Sequence, residues 1–187
     1  IIISNFEKEI SLEVLEKLKD ITHVLPVDHS SLEFASKLKD LLSATGNTYN
    51  SVMNAMDKYK SRIIFNEVTE VKINNSYVND TEDLLTFMSK FNTGVLKPTK
   101  GTASNKVIKV THQNMDQPLM KNIIKDCNKD ELIIEEFVEG DEYAFEGMLI
   151  DSKLSKFVVF EKPLVFVEPY FEESIYITPS NLSNVIV

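Results

Sequence analysis

The spacing of apolar residues predicts that helices dominate the first third of the chain. Apolar residues recur at helical spacing over residues 6–20 and again over 32–42, so each stretch is predicted to form a helix with one buried face. Two short apolar runs, residues 1–4 and 22–27, flank the first helix and are typical of strands. A strand, a helix and a strand of these lengths predict a βαβ unit with a parallel sheet.

The middle of the chain changes from a helical to a strand-like pattern. A third helix is predicted over residues 49–62, with tyrosine, valine and methionine on one side. β-forming residues then alternate over 63–78 on both sides of a polar turn at Asn74 and Asn75, which predicts two short strands. Thr81 is a suitable N-cap for a further helix over residues 82–91.

The second half is predicted to be mainly β-structure. One strand is predicted on each side of a small-residue loop, 100–106, and an apolar strand is predicted to run into the paired carboxylates of Glu135 and Glu136. A helix near residues 116–128 precedes that last strand. Alternation over 141–162 predicts a hairpin, and a short strand is predicted over 175–178.

Composition and charge restrict the classes of partner. The 187 residues are 43% hydrophobic and 26% charged, with a net charge of −9, which is ordinary for a globular protein. The acidic balance argues against nucleic acid or an anionic membrane as the main partner, although local lysines could still bind ATP. The sequence has no apolar run of the roughly 18 residues that a membrane helix needs, and no visible signal peptide, so we expect a cytoplasmic protein.

The single cysteine and the first residues give two further expectations. Cys127 excludes an intrachain disulfide, and we expect it to be structural because no histidine or basic pair near it in sequence marks a nucleophile. The chain opens on Ile1-Ile2-Ile3 rather than on methionine, so we expect a fragment of a longer protein.

Lys97 and the loop after it are candidates for binding a polyphosphate. Lys97 ends an apolar strand, and its side chain supplies a mobile positive charge with three donors. The loop 100–106 lacks large apolar side chains, so its backbone N–H groups could face phosphate oxygens. The alternative is a polar hairpin at the surface.

Glu135 and Glu136 are candidates for binding the other end of a nucleotide. Strand alternation turns one of two adjacent side chains inward, and an inward carboxylate needs a donor partner. The exocyclic amine of adenine would serve as that donor, and Glu142, beyond a turn, could accept from ribose hydroxyls. A solvated strand end explains one of the two carboxylates equally well.

Three pieces in this order resemble the ATP-grasp superfamily, of the D-alanine–D-alanine ligase, carbamoyl-phosphate synthase and L-amino-acid ligase type. They are Met56-Asp57-Lys58, then Val95-Leu96-Lys97-Pro98 with Gly101-Thr102-Ala103-Ser104, and finally the run 132–143. The resemblance implies an α/β (α+β) fold in which 1–62 is a remnant of a Rossmann-like pre-ATP-grasp domain. Residues 63–133 would then be a small subdomain with the phosphate loop, and 134–187 the incomplete start of the larger grasp subdomain.

The resemblance also implies a role for each matching residue. Lys58 and Lys97 would bind the ATP phosphates, under a loop formed by Gly101, Thr102, Ala103 and Ser104. Glu135 would accept from the adenine amine and Glu142 would bind ribose. The backbone of Glu136, Phe137 and Val138 would face the adenine edge. Taken alone, without the resemblance, Lys58 reads as a solvated helix lysine.

The implied function of the parent protein is ATP-dependent ligation of a carboxylate to an amine through an acyl phosphate, with amino acids as substrates. Mg²⁺ would be bound by ligands beyond Val187, so we expect this chain alone to bind ATP without catalysis.

Ala103 and Lys106 stand where glycine is common in the family. A non-catalytic nucleotide-binding module therefore stays an alternative, as does a carbamoyl-phosphate synthase or carboxylase type of enzyme. A homodimer is left open.

Four residues are weaker candidates for contacting the substrate. Asp28 and His29 follow a predicted parallel strand, where ligands often bind, but they could equally begin a helix. Glu161 and Glu172 lie in segments that resemble the L-amino-acid ligase branch. The alternative for both glutamates is a solvated hairpin end.

Overall fold

The computed structural model describes residues 10–101, 106–127, 131–163, 166–167, 170–171 and 175–182, with no side-chain description for 164–174. The chain divides into two compact units, residues 1–70 and 71–187. The finer division at residues 62 and 133 stays a prediction. No helix in the described ranges is long and apolar enough to cross a membrane.

Unit 1 is helical in its described part. A short 3₁₀-helix at His29–Ser31 runs directly into the second of four α-helices, which are α1 (Leu12–Leu18), α2 (Leu32–Leu42), α3 (Tyr49–Met56) and α4 (Lys58–Val68). The first predicted strand, 1–4, lies outside the described residues. The second, 22–27, is wrong, because this segment forms only an isolated parallel bridge between His23 and Thr45. Leu25 and Val27 are largely exposed, so burial of their apolar side chains does not stabilise a strand in this segment.

Asp57 divides one predicted helix into two. Its backbone is extended (φ −101°, ψ 110°), and its carboxylate accepts hydrogen bonds from the N–H groups of Tyr59 at 3.0 Å and Lys60 at 3.1 Å. The side chain therefore satisfies donors that a helix start would otherwise leave unpaired. Helix α4 then continues to Val68, so the strand predicted from residue 63 is wrong over 63–68.

The described residues of unit 2 form an antiparallel sheet, a separate hairpin and two helices. The sheet strands lie side by side in the order β1 (Asn75–Tyr77), β4 (Leu132–Glu136), β2 (Thr93–Pro98), β3 (Ile108–Thr111), β8 (Tyr170–Phe171) and β7 (Phe166–Val167). The hairpin pairs β5 (Glu142–Ile150) with β6 (Lys153–Lys162). The strands predicted around the loop, before the paired carboxylates and in the hairpin are confirmed. In place of the strand predicted over 175–178, the structure has an isolated antiparallel bridge between Glu161 and Ile177.

The two helices of unit 2 differ slightly from their predicted bounds. Helix α5 (Thr81–Met88) is capped by the Asp80 carboxylate, which accepts from the Asp83 N–H at 2.9 Å, and not by Thr81 as predicted. Asp80, one residue before Thr81, can accept from the backbone N–H groups that the first turn of the helix leaves unpaired. Helix α6 (Pro118–Lys125) confirms the helix predicted near 116–128, and its first residue is a proline, which a helix tolerates at this position.

One face of the six-stranded sheet forms the hydrophobic core of unit 2. Leu96, Ile108, Val110, Leu132 and Ile134 alternate inward along three neighbouring strands and are all nearly fully buried. Residues from α5 and α6 complete the cluster, namely Leu84, Phe87, Met88, Met120 and Ile124. Strand alternation consequently places the intervening residues on the opposite face, which we call the outer face of the sheet.

Gly94 allows β2 and β4 to approach each other. A Cβ atom at this position would lie 2.8 Å from Cδ1 and 3.0 Å from Cγ1 of Ile134. Both atoms belong to a side chain with no exposed surface, so there is little room for it to move. Gly94 lies opposite Glu136 in the strand pairing, so this close approach also fixes where the carboxylate pair lies.

We expect Gly94→Ala to lower the free energy of unfolding by about 1–3 kcal/mol, because the added methyl group overpacks the core against Ile134. The measurement is urea unfolding followed by circular dichroism. Thr93→Ala in the same strand is the matched control, and we expect it to change stability by about 0.5 kcal/mol or less. Equal stability of Gly94→Ala and wild type would contradict the packing described for these strands.

Candidate functional site

Lys97 and Glu135 form an ion pair on the sheet face opposite the helices. The Lys97 Nζ atom lies 2.5 Å from Glu135 Oε2, and the two side chains are 18% and 6% exposed. In the strand register Glu135 lies opposite Val95, so Lys97 is the diagonal neighbour two residues along β2. The prediction that one carboxylate of the Glu135–Glu136 pair points inward is confirmed. Its donor in this structure is Lys97.

Lys109 lies on the same face and was missed from the sequence. Its neighbours Ile108 and Val110 are in the core, so alternation turns Lys109 to the outer face. Its Nζ atom lies 4.7 Å from the ring centroid of Phe137, within the range of a cation–π interaction. The alternating pattern of Ile108-Lys109-Val110 was the signal that could have identified it.

The segment after β4 is fixed by backbone hydrogen bonds. The Glu136 N–H donates to the Asn74 carbonyl at 3.0 Å, and the Phe137 N–H donates to the Thr93 carbonyl at 3.2 Å. The Asn74 side-chain amide donates to Glu136 Oε2 at 2.7 Å. In the segment whose backbone is predicted to face an adenine edge, the N–H groups of Glu136 and Phe137 therefore donate within the protein. Val138, which follows them, is 63% exposed.

The predicted ribose residue, Glu142, lies at the open end of the hairpin. Its carboxylate forms an ion pair with Lys162, whose Nζ atom also lies 5.5 Å from the ring centroid of Tyr176. Glu161 is half-buried, and its backbone exchanges two 2.9 Å hydrogen bonds with Ile177. These residues hold the segment 175–182 against the hairpin.

Tyr143 adds a polar contact at the same end of the hairpin. Its hydroxyl donates to Asn181 Oδ1 at 2.8 Å. Desolvation raises the pKa of Tyr143, and the negative charges of Asp141 and Glu161 act in the same direction. The hydroxyl therefore stays protonated and remains a donor at neutral pH.

The predicted phosphate loop is described only at its two ends. Gly101 has φ +130°, a conformation that favours glycine, and Lys106 has φ +59°. Thr102, Ala103 and Ser104 lie outside the described residues. Just before the loop, the buried Thr99 donates its N–H to the Glu131 carbonyl at 2.8 Å, which extends the pairing of β2 with the chain entering β4.

In unit 1, Asp28 is a helix cap. Its carboxylate accepts from the Ser30 hydroxyl at 2.6 Å and from the Ser31 N–H at 3.0 Å. The Ser30 bond is the main cause that lowers the pKa of Asp28, followed by the Ser31 bond. His29 is exposed beside this cap. Lys58, the other predicted residue of unit 1, is the half-buried first residue of α4.

The other chemically active side chains of the described residues were compared with the requirements of a metal site and of a reactive thiol. Within the described ranges, no group of three histidine, cysteine or acidic side chains is arranged to hold a metal ion. Cys127 packs against the core of unit 2, and burial raises the pKa of its thiol. A thiol with a raised pKa carries little thiolate at neutral pH, which agrees with a structural role.

We expect Lys97→Met to lower the free energy of unfolding by about 2–3 kcal/mol, because it leaves the buried Glu135 carboxylate without its charged partner. Glu135→Gln should cost less, since the ammonium of Lys97 can reach solvent. The double variant Lys97→Met/Glu135→Gln should be more stable than Lys97→Met by about 1 kcal/mol or more.

The measurement is a double-mutant cycle by urea unfolding, with Lys121→Met on the exposed side of α6 as the control. A cost for Lys97→Met no larger than that of Lys121→Met would show that the ion pair does not stabilise the sheet.

Comparisons with known proteins identify a family and several similar structures. A family model described as an ATP-grasp domain matches residues 91–186. The structure of an ADP complex of N5-carboxyaminoimidazole ribonucleotide synthetase superimposes with a TM-score of 0.69 at 15% identity, over 98% of this chain and 47% of that chain. No curated protein sequence matches.

Two further solved structures are similar. The L-amino acid ligase from Bacillus licheniformis has a TM-score of 0.67 at 19% identity, over 97% of this chain and 43% of that chain. The VanG D-Ala:D-Ser ligase from Enterococcus faecalis has a TM-score of 0.61 at 18% identity, over 83% of this chain and 48% of that chain.

The superpositions show a shared fold, and at sequence identities this low they show nothing further. The chain spans less than half the length of each of these three proteins. The α/β (α+β) fold expected from the sequence is confirmed, and its sheets are antiparallel. Because the family model covers residues 91–186 of the 187-residue chain, the chain belongs to the ATP-grasp family.

Proposed function

We propose that this chain carries the ATP-binding part of an ATP-dependent ligase that joins a carboxylate to an amine through an acyl phosphate. The observation that carries the proposal is the Lys97–Glu135 ion pair on the outer face of the sheet. Glu135 keeps a lysine ammonium on that face, close in sequence to the loop that begins at Gly101. An anionic ligand of matching shape would meet a positioned positive charge there.

The phosphate end of ATP would lie over Lys97 and the loop beyond it. A protein with a net charge of −9 repels a polyphosphate at long range, so local lysines are needed to oppose that charge. Lys109, on the same sheet face, would add positive charge. Lys58 is assigned to phosphate by the family resemblance alone.

The adenosine end would lie along the segment after β4. Because the N–H groups of Glu136 and Phe137 already donate within the protein, the adenine edge would use backbone carbonyl groups and the Val138 N–H. The Glu135 carboxylate, which binds Lys97 through Oε2, would accept from the exocyclic amine. Glu142 would turn from Lys162 towards the ribose hydroxyls.

In the reaction, the residues of this chain would bind, orient and neutralise charge. Transfer of the γ-phosphate to a carboxylate spreads negative charge over the transferred group, and positioned ammonium groups stabilise it. An amine would then displace phosphate from the acyl phosphate. Mg²⁺ is implied by the family, but the described residues form no cluster that fits a metal ion, so we assign them no step through the metal.

Amino acids are the proposed substrates because the similar structures include an L-amino acid ligase and a D-Ala:D-Ser ligase. The synthetase of N5-carboxyaminoimidazole ribonucleotide is similar to the same degree, which keeps a carboxylase type of enzyme as the second candidate. A substrate panel on the parent protein separates the two.

We expect a non-hydrolysable ATP analogue to bind the chain, and Lys97→Ala to weaken binding by about 1–3 kcal/mol, as for a lost hydrogen bond to a charged group. Isothermal titration calorimetry measures this loss. The Lys97→Met/Glu135→Gln variant shows whether weaker binding reflects unfolding, because it should remain folded and still bind poorly. Lys121→Ala is the matched lysine control. Unchanged affinity in both Lys97 variants would contradict the assignment of Lys97 to phosphate.

A further inference from the structure

Asn75, on the outer face of the sheet, has an incomplete set of hydrogen bonds. Its Oδ1 atom is buried and has no hydrogen-bond partner among the described residues. A buried acceptor without a donor costs free energy, so its presence in a regular strand calls for an explanation. We propose that Asn75 is a specificity-determining residue of the nucleotide site, whose Oδ1 atom accepts from the exocyclic amine of adenine together with Glu135.

Asn75 and Glu135 are direct neighbours on the outer face. They lie opposite each other in the pairing of β1 with β4. The adjoining pair is joined by a backbone hydrogen bond, from the Glu136 N–H to the Asn74 carbonyl at 3.0 Å. Hydrogen-bonded and non-hydrogen-bonded pairs alternate in an antiparallel sheet, so Asn75 and Glu135 form a non-hydrogen-bonded pair. In such a pair the side chains lie closest together, with their Cβ atoms about 5 Å apart.

The Asn75 amide has one polar atom that is already used and one that is not. Its Nδ2 atom donates to the Ile73 carbonyl in the same segment at 3.2 Å. Exchanging the two amide atoms would place Oδ1 against that carbonyl, acceptor against acceptor, so this hydrogen bond determines which way the amide is turned. The polar atom left over is therefore Oδ1, which can only accept.

Asn75 and Glu135 together present acceptors to a ligand. The Glu135 carboxylate, paired with the Lys97 ammonium, offers oxygen atoms, and Asn75 adds Oδ1 beside it. An exocyclic amine carries two N–H groups in one plane, so it can donate one to each side chain. A 6-oxo group, as in hypoxanthine or guanine, is itself an acceptor and would meet two acceptors, which disfavours its binding.

The position of Asn75 allows a ligand on the outer face to reach it. The residue as a whole is only half-buried, so its side chain lies at the surface of the sheet. Rotation about the Cβ–Cγ bond, a torsion with a broad energy minimum, would turn Oδ1 towards the ligand. This rotation gives up the 3.2 Å bond to Ile73, and in exchange an unpaired acceptor gains a donor.

This inference rests on the proposed function, because it concerns which base the nucleotide site selects. The alternative is that Asn75 serves the sheet alone. The two differ in what substitution of Asn75 does to stability and to the choice between purines, so both are measured.

The binding test uses three nucleotides that differ at position 6 of the purine. ADP has the amine, purine riboside 5′-diphosphate lacks it, and IDP has an oxo group in its place. Isothermal titration calorimetry on the 187-residue chain measures the dissociation constant of each. Wild type should bind ADP most tightly and IDP most weakly. Asn75→Leu should reduce the preference for ADP over purine riboside diphosphate by about three- to tenfold, as for one lost hydrogen bond.

Two further variants control this result. Ser76→Ala lies in the same strand but on the core face, opposite Ile134, and should leave the preference for ADP unchanged. Asn75→Asp keeps acceptor oxygens at the position and should retain the preference that Asn75→Leu loses. Loss of the preference in Asn75→Asp to the same extent as in Asn75→Leu would refute acceptance by Oδ1.

Urea unfolding separates a role in binding from a role in the sheet. Asn75→Leu replaces a buried, unpartnered acceptor by an apolar group of similar size, so it should unfold at the same urea concentration as wild type or at a higher one. A lower unfolding midpoint together with an unchanged preference for ADP would show that Asn75 serves the sheet, and would overturn the proposal.

Failure of this inference and failure of the proposed function give different results. Equal weakening of ADP and purine riboside diphosphate by Asn75→Leu would refute the role of Asn75 and leave the nucleotide site intact. If none of the three nucleotides binds wild type, the nucleotide site itself is refuted, and the role of Asn75 with it.

Discussion

The ion pair between Lys97 and Glu135 connects the packing of the sheet to the chemistry of its outer face. A carboxylate that is almost entirely buried costs several kcal/mol unless it is paired, and Lys97 provides the partner. The pair forms because β2 and β4 lie next to each other in one register. Gly94 lies in the same strand pairing, and a Cβ atom at this position would meet the buried Ile134 side chain on the opposite face. The packing of the core and the position of the ion pair therefore belong to the same strand pairing.

In the proposed function, the same pair would present a lysine ammonium to a polyphosphate in an otherwise acidic protein. Ammonium groups fixed near one another would oppose the long-range repulsion that the net charge of −9 exerts on such a ligand. The outer sheet face carries Lys97 beside Glu135 and Lys109 against Phe137. Both lysines are held by contacts that a phosphate group could replace or share. Desolvation at this face would strengthen the attraction.

Much of unit 2 could be predicted from the sequence because its signals are local. The apolar run before the paired carboxylates predicted strand β4, and alternation predicted that one of Glu135 and Glu136 points inward without deciding which. The partner of Glu135 could not be predicted in the same way. A cross-strand pair depends on register, and register depends on how side chains pack across the sheet.

Unit 1 was harder to predict because capping overrides periodicity there. The Asp57 carboxylate begins a new helix in the middle of a continuous helical pattern, and α4 then extends through a β-branched stretch that suggested a strand. The run over 22–27 has strand composition, yet it forms only one bridge, to Thr45.

A crystal structure of the chain with ADP bound tests the central claim most directly. The account predicts that a phosphate oxygen lies within hydrogen-bonding distance of Lys97 Nζ and that the adenine ring lies against the segment 136–138. A nucleotide bound away from this sheet face, with the Lys97–Glu135 pair unchanged and remote from it, would contradict the account.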